Sequence, residues 1–274
     1  MKSLCLALVL VLLAGCTGGL RIDDSHTATG QNSRVQYVVL HYTSADLQRS
    51  LDLLTQTEVS SHYLIGDAPP TVYRLVDENR RAWHVGVSEW QGRTWLNAST
   101  IGIELVNQGY YETPAGRYWQ PFAPKQIDTL IVLLKDIVKR HQLPLGSIIA
   151  HSDVAPQRKV DPGPLFPWKR LADEGLVPWP NEDAVARQQA LFDISLPGIE
   201  WFQEQLAQQG YSVPRHGELD EATRNVIAAF QMKYRPARYD GEPDAETAAL
   251  LDVVNQPQGM KLAQPPRPAA AGVE

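Results

Sequence analysis

Residues 35–42 read VQYVVLHY, a nearly continuous apolar run that ends in a histidine and a tyrosine. Such a run is typical of a strand buried on both faces of a sheet, because a half-exposed strand alternates apolar with polar residues. Two further runs have the same form: residues 101–106 read IGIELV, and residues 147–150 read SIIA and are followed directly by a histidine. Each run carries one chemically active side chain at or near its carboxyl end. These side chains are His41, Glu104 and His151.

Helical patterns separate these runs. Leucines at helical spacing predict a helix over residues 45–54, and Pro124 opens an amphipathic pattern whose apolar stripe extends to Val138. Residues 62–65 (HYLI) and 72–76 (VYRLV) predict two shorter strands. Strands that alternate with helices indicate an α/β domain, which we place at residues 34–180.

A second, all-α domain is predicted at residues 190–255, beyond the boundary sequence PWPNED at 178–183. Three helices are expected there, at residues 198–209, 220–234 and 244–254. The last two begin with an aspartate followed three residues later by a threonine, which is a typical helix start. Residues 256–274 contain four prolines and a run of alanines, and we expect a disordered tail.

The first sixteen residues, MKSLCLALVLVLLAGC, predict export. One lysine precedes an apolar run that is too short to span a bilayer as a helix, so a signal peptide at residues 1–15 is favoured. The ending LAGC resembles a bacterial lipobox, which implies a lipidated Cys16 and a flexible tether over residues 16–33. An ordinary cleaved signal peptide is the alternative. Because Thr17, and not an aspartate, follows the cysteine, we expect an outer-membrane lipoprotein that faces the periplasm.

Composition excludes several classes of protein. The chain has 274 residues, 43% of them hydrophobic and 20% charged, which argues against a wholly disordered chain and a multi-span membrane protein. With 25 Lys+Arg against 31 Asp+Glu, the formal charge is -6, and no basic footprint for nucleic acid is present. We expect a monomer that is anchored to a membrane only by lipid.

The three strand ends suggest a metal site. In open α/β sheets, ligands gather beyond the carboxyl ends of the strands, so His41, Glu104 and His151 are expected to converge. Two imidazoles and one carboxylate are a common catalytic zinc set, and Asp161, in the loop after His151, completes it. Glu104 is then the candidate general base, and Lys159 is the candidate cation for an oxyanion.

Five motifs carry a resemblance to a known family. They are VLHYT (39–43), SHYLI (61–65), AWHVG (82–86), STIGIEL (99–105) and the segment from Gly146 to Pro164. Together they resemble the zinc N-acetylmuramoyl-L-alanine amidases of the AmpD and peptidoglycan-recognition type. The resemblance implies a mixed central sheet flanked by helices and one Zn²⁺ per chain. It also implies cleavage of the amide between L-alanine and N-acetylmuramic acid, or its 1,6-anhydro form, in peptidoglycan turnover.

The same resemblance assigns roles to single residues. Its zinc ligands match His41, His151 and Asp161, its acid/base residue matches Glu104, and its oxyanion lysine matches Lys159. Some relatives grip the stem peptide with an arginine where this chain has Trp95, so Arg93 becomes the candidate for that contact. The helical domain resembles peptidoglycan-binding domains of cell-wall hydrolases, which makes peptidoglycan and muropeptides the expected partners.

Other interpretations remain open at this stage. His62 and His84 either line the substrate cleft, orient a metal ligand or serve the fold. Four tryptophans either stack on sugar rings or fill the core; these are Trp83, Trp90, Trp95 and Trp119. Two rival functions are a non-catalytic peptidoglycan-recognition protein and a zinc endopeptidase that cuts within the stem peptide.

Overall fold

The computed structural model describes residues 20–114 and 116–261. The strands are β1 (Tyr37–Tyr42), β2 (Tyr63–Ile65), β3 (Val72–Arg74), β4 (Thr100–Leu105), β5 (Tyr110–Thr113), β6 (Gly116–Trp119), β7 (Ile148–Ala150), β8 (Trp179–Pro180) and β9 (Met260–Lys261). The helices are α1 (Leu47–Gln56), α2 (Pro124–His141), α3 (His151–Val154), α4 (Trp168–Asp173), α5 (Glu182–Phe192), α6 (Ile199–Gln209), α7 (Glu221–Tyr234) and α8 (Ala245–Asn255).

Five strands form a mixed central sheet in the order β3-β2-β4-β1-β7. β1 lies between β4 and β7 and is parallel to both, β2 is parallel to β4, and β3 is antiparallel to β2. The predicted α/β class with a mixed sheet and flanking helices is confirmed. Because the four adjacent parallel strands β2, β4, β1 and β7 end at one edge, the residues at their carboxyl ends lie close together.

Each face of the sheet packs into its own apolar core. Val38 and Leu40 of β1 point to one face, where the apolar stripe of α2 covers them. Val39 of β1 and Ile149 of β7 point to the other face, in a core shared with Phe202, Phe230 and other side chains of the C-terminal helices. Alternation along the strands produces these two cores. The C-terminal helices therefore take the place of a second helical layer over the sheet.

Helix boundaries follow the predicted capping signals. Asp220 and Asp244 are the N-caps of α7 and α8, and their carboxylates accept hydrogen bonds from the backbone N–H groups of Thr223 and Thr247. Pro124 stands at the start of α2, as its fixed φ angle favours. These starts are confirmed.

Several elements differ from expectation. The boundary segment continues into α5, which Asn181 caps, so four helices and not three follow the sheet domain. The β5–β6 hairpin was not predicted, since its exposed residues show little apolar alternation. Residues 256–261 do not belong to a disordered tail, because β9 pairs with β8 and Asn181 N–H donates to the Gly259 carbonyl at 2.8 Å. The rest of the expected tail, residues 262–274, lies outside the described residues.

Residues 33–114 and 116–261 belong to one compact unit, and residues 20–32 belong to a separate one. Within residues 20–32 there is no helix or strand. Cys16 and the predicted signal peptide lie outside the described residues. Among the helices of residues 20–114 and 116–261, none has the length and apolar character that crossing a bilayer requires.

Glu78, in the loop after β3, ties that loop to the end of α2. Its carboxylate accepts hydrogen bonds from Tyr63 Oη at 2.6 Å, from His141 Nε2 at 2.7 Å and from the Arg140 guanidinium at 2.9 Å. Burial acts to raise the pKa of Glu78, but the bonds from Arg140, Tyr63 and His141 outweigh it and lower the pKa to about 2. The ionised carboxylate therefore stabilises the folded state.

This network predicts a pH dependence of stability. The contribution of Glu78 is present above the ordinary pKa of a glutamate, near 4.5, and is lost as the pH falls toward 2. Glu78→Gln should lower the melting temperature at pH 7, and the gap to the wild type should shrink between pH 5 and pH 2.5. Thermal unfolding measured by circular dichroism checks this. Glu112→Gln, on the exposed hairpin, is the control, and a gap that stays constant with pH would contradict the prediction.

Candidate metal centre and its cleft

The predicted convergence of the strand ends is observed. His41, near the end of β1, lies directly opposite Glu104 of β4 in the parallel register. His151 begins α3 immediately after β7. The loop that follows returns to the same edge, because Ser152 N–H donates to the Asp161 carbonyl at 2.9 Å. The edge of the sheet thus collects two histidines and two carboxylates.

Three donor atoms meet at one point. The Nδ1 atoms of His41 and His151 are 2.9 Å apart, and Asp161 Oδ2 lies 3.1 Å from the first and 2.9 Å from the second. All three residues are buried. They form a group able to hold one metal ion, as the sequence predicts.

Hydrogen bonds fix the tautomer of His151. Its Nε2 lies 3.2 Å from the Val85 carbonyl oxygen, which can only accept, so Nε2 carries the hydrogen. The neutral ring then presents a lone pair at Nδ1, toward Asp161. The Val85 carbonyl also accepts a hydrogen bond from Arg158, which holds the loop before β4 beside the site.

A longer chain of hydrogen bonds fixes the tautomer of His41. The Thr100 hydroxyl donates to the Leu96 carbonyl at 2.8 Å, so it accepts from His84 Nε2 at 3.0 Å. His84 Nδ1 is then an acceptor, and His41 Nε2 donates to it at 3.0 Å. His41 Nδ1 is therefore left with a lone pair that faces the other two donors. Each assignment follows from the one before it, starting at a carbonyl that has no hydrogen to give.

Gly102 permits this arrangement. A Cβ atom at residue 102 would lie 2.5 Å from His84 Cγ, so any side chain there would displace the His84 ring. The glycine of the motif STIGIEL is thus required for the close approach of His84 to β4. Thr100, in the same motif, was not singled out by sequence reasoning; its only signal is a hydroxyl at the start of a buried strand.

The electrostatics of the group fit a cation. Burial, with the charge of His151, lowers the pKa of His41 to about 4, so the ring is neutral at pH 7. Burial alone would raise the pKa of Asp161, but the two histidines outweigh it and hold this carboxyl ionised. Two imidazole lone pairs and one carboxylate thus point at a single buried position. Such a set of acceptors is stabilised by a bound metal ion, and nitrogen–oxygen donors of this kind suit zinc.

Glu104 stands beside this group in a different electrostatic state. Burial raises the pKa of Glu104 to about 8, with the nearby Asp161 charge adding to the rise and Lys159 opposing it. Its Oε2 atom is buried and has no hydrogen-bond partner among the described residues. The carboxyl is thus able to take and release a proton near neutral pH.

A cleft of about 450 Å³ opens over these residues. His41, His84, Glu104, His151, Lys159 and Asp161 are among the residues that line it. Lys159 is only partly buried, and its charge acts on both Glu104 and His41. The five residues predicted for metal binding and catalysis are therefore brought together.

Two of the residues considered for a substrate contact are not among those that line the cleft. His62 is fully buried; its Nδ1 accepts from Gly102 N–H at 3.0 Å and its Nε2 donates to the Arg80 carbonyl at 3.1 Å. Of the three roles left open for His62, these bonds favour the one in the fold, because both ring nitrogens serve the backbone. Arg93 is exposed in a turn with Trp90 and is not among the residues that line the cleft. His84, by contrast, does line it.

The four tryptophans divide into two pairs. Trp90 and Trp119 are buried at 6% and 8% exposure and fill the interior. Trp83 and Trp95 are 52% and 81% exposed and line a second, largely apolar groove. This groove shares Trp83 and Arg158 with the first cleft. Only the second pair has the exposure that stacking on a ligand requires.

Comparison with known proteins gives this geometry a family. Residues 31–164 match the family described as N-acetylmuramoyl-L-alanine amidase, and residues 195–251 match a putative peptidoglycan binding domain. AmiD of Escherichia coli, named an N-acetylmuramoyl-L-alanine amidase, is 41% identical over 264 residues, which are 91% of this chain and 95% of AmiD. The chain belongs to the N-acetylmuramoyl-L-alanine amidase family. The resemblance stated from the motifs is confirmed, and so is the AmiD type in particular, which the order of leader, amidase domain and helical domain predicts.

Solved amidase structures share the fold. E. coli AmiD in complex with the substrate anhydro-N-acetylmuramic acid-L-Ala-D-gamma-Glu-L-Lys superimposes with a TM-score of 0.78 over 86% of this chain and 94% of that one. AmpDh3 of Pseudomonas aeruginosa, in complex with anhydromuramic pentapeptide, has a TM-score of 0.79 at 35% identity, over 85% of this chain and 96% of that one. As an N-acetylmuramoyl-L-alanine amidase, this chain hydrolyses the amide bond between N-acetylmuramic acid and L-alanine.

The hydrogen-bond chain predicts that His84 supports the metal site of this amidase. His84→Ala should weaken Zn²⁺ binding by about 10- to 100-fold, because His41 loses the partner that orients its ring. Thr100→Val should act in the same direction with a smaller effect. Competition with a chromophoric chelator measures the affinity.

His216→Ala is the matched control, since it removes an exposed imidazole from the helical domain. It should leave Zn²⁺ affinity unchanged. Wild-type affinity in His84→Ala would show that His41 does not need this partner.

Proposed function

We propose that this amidase is a zinc enzyme that acts as a monomer with one Zn²⁺ per chain, bound by His41, His151 and Asp161. The observation that carries this proposal is the convergence of two imidazole lone pairs and one carboxylate oxygen within about 3 Å of one another. Glu104 and Lys159 line the same cleft, so the metal ligands and two groups able to assist hydrolysis face one volume.

Zn²⁺ held by His41, His151 and Asp161 would supply Lewis acidity, which would polarise a carbonyl oxygen and lower the pKa of water. Glu104 takes the proton of the attacking water on its carboxylate. Because burial raises the pKa of Glu104 above its usual value, the carboxyl can hold this proton and deliver it to the leaving amine of L-alanine. The same side chain thus acts first as base and then as acid.

Lys159 stabilises the negative charge that develops on the carbonyl oxygen. It lies two residues before Asp161 and lines the same cleft as the ligands, and its charge acts on both His41 and Glu104. A fixed cation that is aimed at developing charge lowers the barrier more than one that binds the ground state. We assign Lys159 this role.

The proposed substrates are peptidoglycan and soluble muropeptides, with ordinary or 1,6-anhydro muramic acid. Support comes from the two similar complexes, whose ligands are anhydromuramic peptides. Cell-wall turnover and recycling is the process that such a reaction serves.

Removing the acid/base group should abolish turnover while metal binding is kept. Glu104→Gln is expected to lower kcat by about 100- to 10,000-fold on a soluble muropeptide, because water activation and amine protonation are both lost. Lys159→Met should lower kcat by about 100- to 1,000-fold. The readouts are initial rates by chromatography and the zinc content of each purified variant.

Chelation provides the complementary test. The wild type should lose activity in a strong chelator and recover it with Zn²⁺. Near-wild-type activity in Glu104→Gln, or in the chelated enzyme, would contradict the mechanism. Glu112→Gln, on the exposed β5–β6 hairpin and not among the residues that line the cleft, is the activity control.

The products distinguish this function from its rivals. Mass spectrometry of digested sacculi should find peptides that begin with free L-alanine and sugars that lack a peptide. A zinc endopeptidase would leave L-alanine attached to the sugar, and a non-catalytic recognition protein would leave both substrates intact. The presence of all three metal-ligand residues favours the enzyme over the recognition protein.

We propose that the chain is an outer-membrane lipoprotein that faces the periplasm, with a signal peptide at residues 1–15, lipid on Cys16 and a tether at 16–33. Support comes from the sequence LAGC after an apolar run and from Thr17 at the next position. The amidase domain then covers residues 34–180, and the helical domain at 190–255 binds peptidoglycan.

Anchoring is tested by changing the lipidated residue. Cys16→Ser should remove the lipid and leave the catalytic site untouched. The protein should then leave the membrane fraction of expressing cells for the soluble fraction, or accumulate as the uncleaved precursor. Cys5→Ser is the control and should leave the distribution unchanged. A Cys16→Ser protein that is distributed like the wild type would exclude a lipid anchor.

A further inference from the structure

One buried ion pair links the helical domain to the segment that carries His151. Lys233 Nζ of α7 donates to Asp153 Oδ2 of α3 at 2.9 Å, and the two side chains are 9% and 0% exposed. Tyr211 Oη, just after α6, donates to Asp153 Oδ1 at 2.6 Å. Asp153 therefore has one helical-domain partner on each of its two oxygens.

Asp153 also holds its own segment. Its Oδ2 atom accepts a hydrogen bond from the backbone N–H of Ala150 at 2.9 Å. This bond closes the one-turn helix α3 over the end of β7, and His151 is the first residue of that turn. The backbone on which His151 stands is thus fixed by the same carboxylate that Lys233 and Tyr211 bind.

The contacts of Lys233 favour the charged form of the ion pair. Burial alone would lower the pKa of Lys233, but the Asp153 charge outweighs it and raises that pKa above its usual value. The ammonium also lies 4.5 Å from the centre of the Trp168 ring, in a cation–π contact with the amidase domain. Removing one member of such a buried pair leaves the other charged group without compensation.

Apolar and aromatic contacts join the two domains around the ion pair. Val154 and Ala155, at the end of α3, belong to the apolar core that also contains Phe230 of α7. Trp90 packs edge-to-face on Tyr211 at 5.0 Å, and Trp119 Nε1 donates to Tyr239 Oη at 2.6 Å. A binding domain held only by a linker would not share a core and a buried charge with the catalytic segment.

We propose that the helical domain is a positioning element of the amidase, in which Lys233 and Tyr211 hold Asp153 and thereby the α3 turn that sets His151 in the metal site. The proposal rests on the metal site proposed above. It adds a second role to a domain that is expected to bind peptidoglycan: without its contacts, His151 Nδ1 loses its fixed position relative to Asp161 and His41.

Lys233→Met in the full chain tests this role, because it keeps most of the unbranched side chain and removes the charge. The cobalt-substituted protein should show a changed visible d–d spectrum, since that spectrum reports the ligand geometry. Zn²⁺ affinity should fall by about 10-fold or more, by analogy with other residues that support metal ligands. On a soluble muropeptide, kcat should fall while KM stays unchanged. Tyr211→Phe should change the spectrum in the same direction by a smaller amount.

Arg235→Met is the matched control. Arg235 is 5% exposed, and its guanidinium pairs with Asp244 at 2.8 Å and donates to Thr247 Oγ1 at 3.0 Å, both within the helical domain. This variant should lose thermal stability, because it too leaves a carboxylate without its buried partner. The cobalt spectrum and Zn²⁺ affinity should remain those of the wild type. The comparison separates a loss of domain stability from a loss of ligand geometry.

The proposal is overturned if folded Lys233→Met keeps the wild-type cobalt spectrum and Zn²⁺ affinity, or if Arg235→Met alters them equally. Should Lys233→Met fail to fold, Tyr211→Phe decides, and an unchanged spectrum in that variant overturns the proposal. A wild-type chain that binds neither cobalt nor zinc would contradict the proposed function itself, and the positioning role with it.

Discussion

The parallel pairing of β1 with β4 and with β7 is the constraint on which the rest of the site depends. Parallel strands end at the same edge of a sheet, so this pairing places His41 opposite Glu104 and brings His151 to the neighbouring position. About 110 residues separate the two histidines along the chain, and only the sheet brings their rings together. The loop that carries Asp161 returns to the same edge, where the Asp161 carbonyl accepts a hydrogen bond from the Ser152 N–H.

Burial gives the residues at this edge their different chemical roles. The imidazoles of His41 and His151 present lone pairs, because their other nitrogens are committed to His84 and to the Val85 carbonyl. Asp161 stays ionised beside them. Glu104, nearby but without a hydrogen bond to its Oε2 among the described residues, has its pKa raised to about 8. One small volume thus holds both a set of metal acceptors and a carboxyl group suited to proton transfer.

The helical domain packs directly on the central sheet. It covers the face of the sheet opposite α2 and shares a core with Val39 and Ile149, so the described residues from Ser33 to Lys261 belong to one compact unit. Asp153 lies at the contact between the two parts, two residues after His151. On this second face of the sheet, the segment that carries His151 packs against the helical domain. The ion pair between Asp153 and Lys233 therefore lies among apolar side chains of both parts.

The sequence by itself determined the α/β class, the main strands and helices and the five residues of the candidate site, because those features depend on local periodicity and on recognisable motifs. It did not reveal α5, the β5–β6 hairpin or the pairing of β9, whose apolar patterns are short or exposed. Only the tertiary structure decided which tryptophans are exposed, Trp83 and Trp95, and which are buried, Trp90 and Trp119. It alone also decided the backbone role of His62 and the links from Thr100 to His41 and from Lys233 to Asp153. Each depends on which distant residue, or which backbone carbonyl, faces a side chain, and that information exists only once the sheet and its two helical layers have assembled.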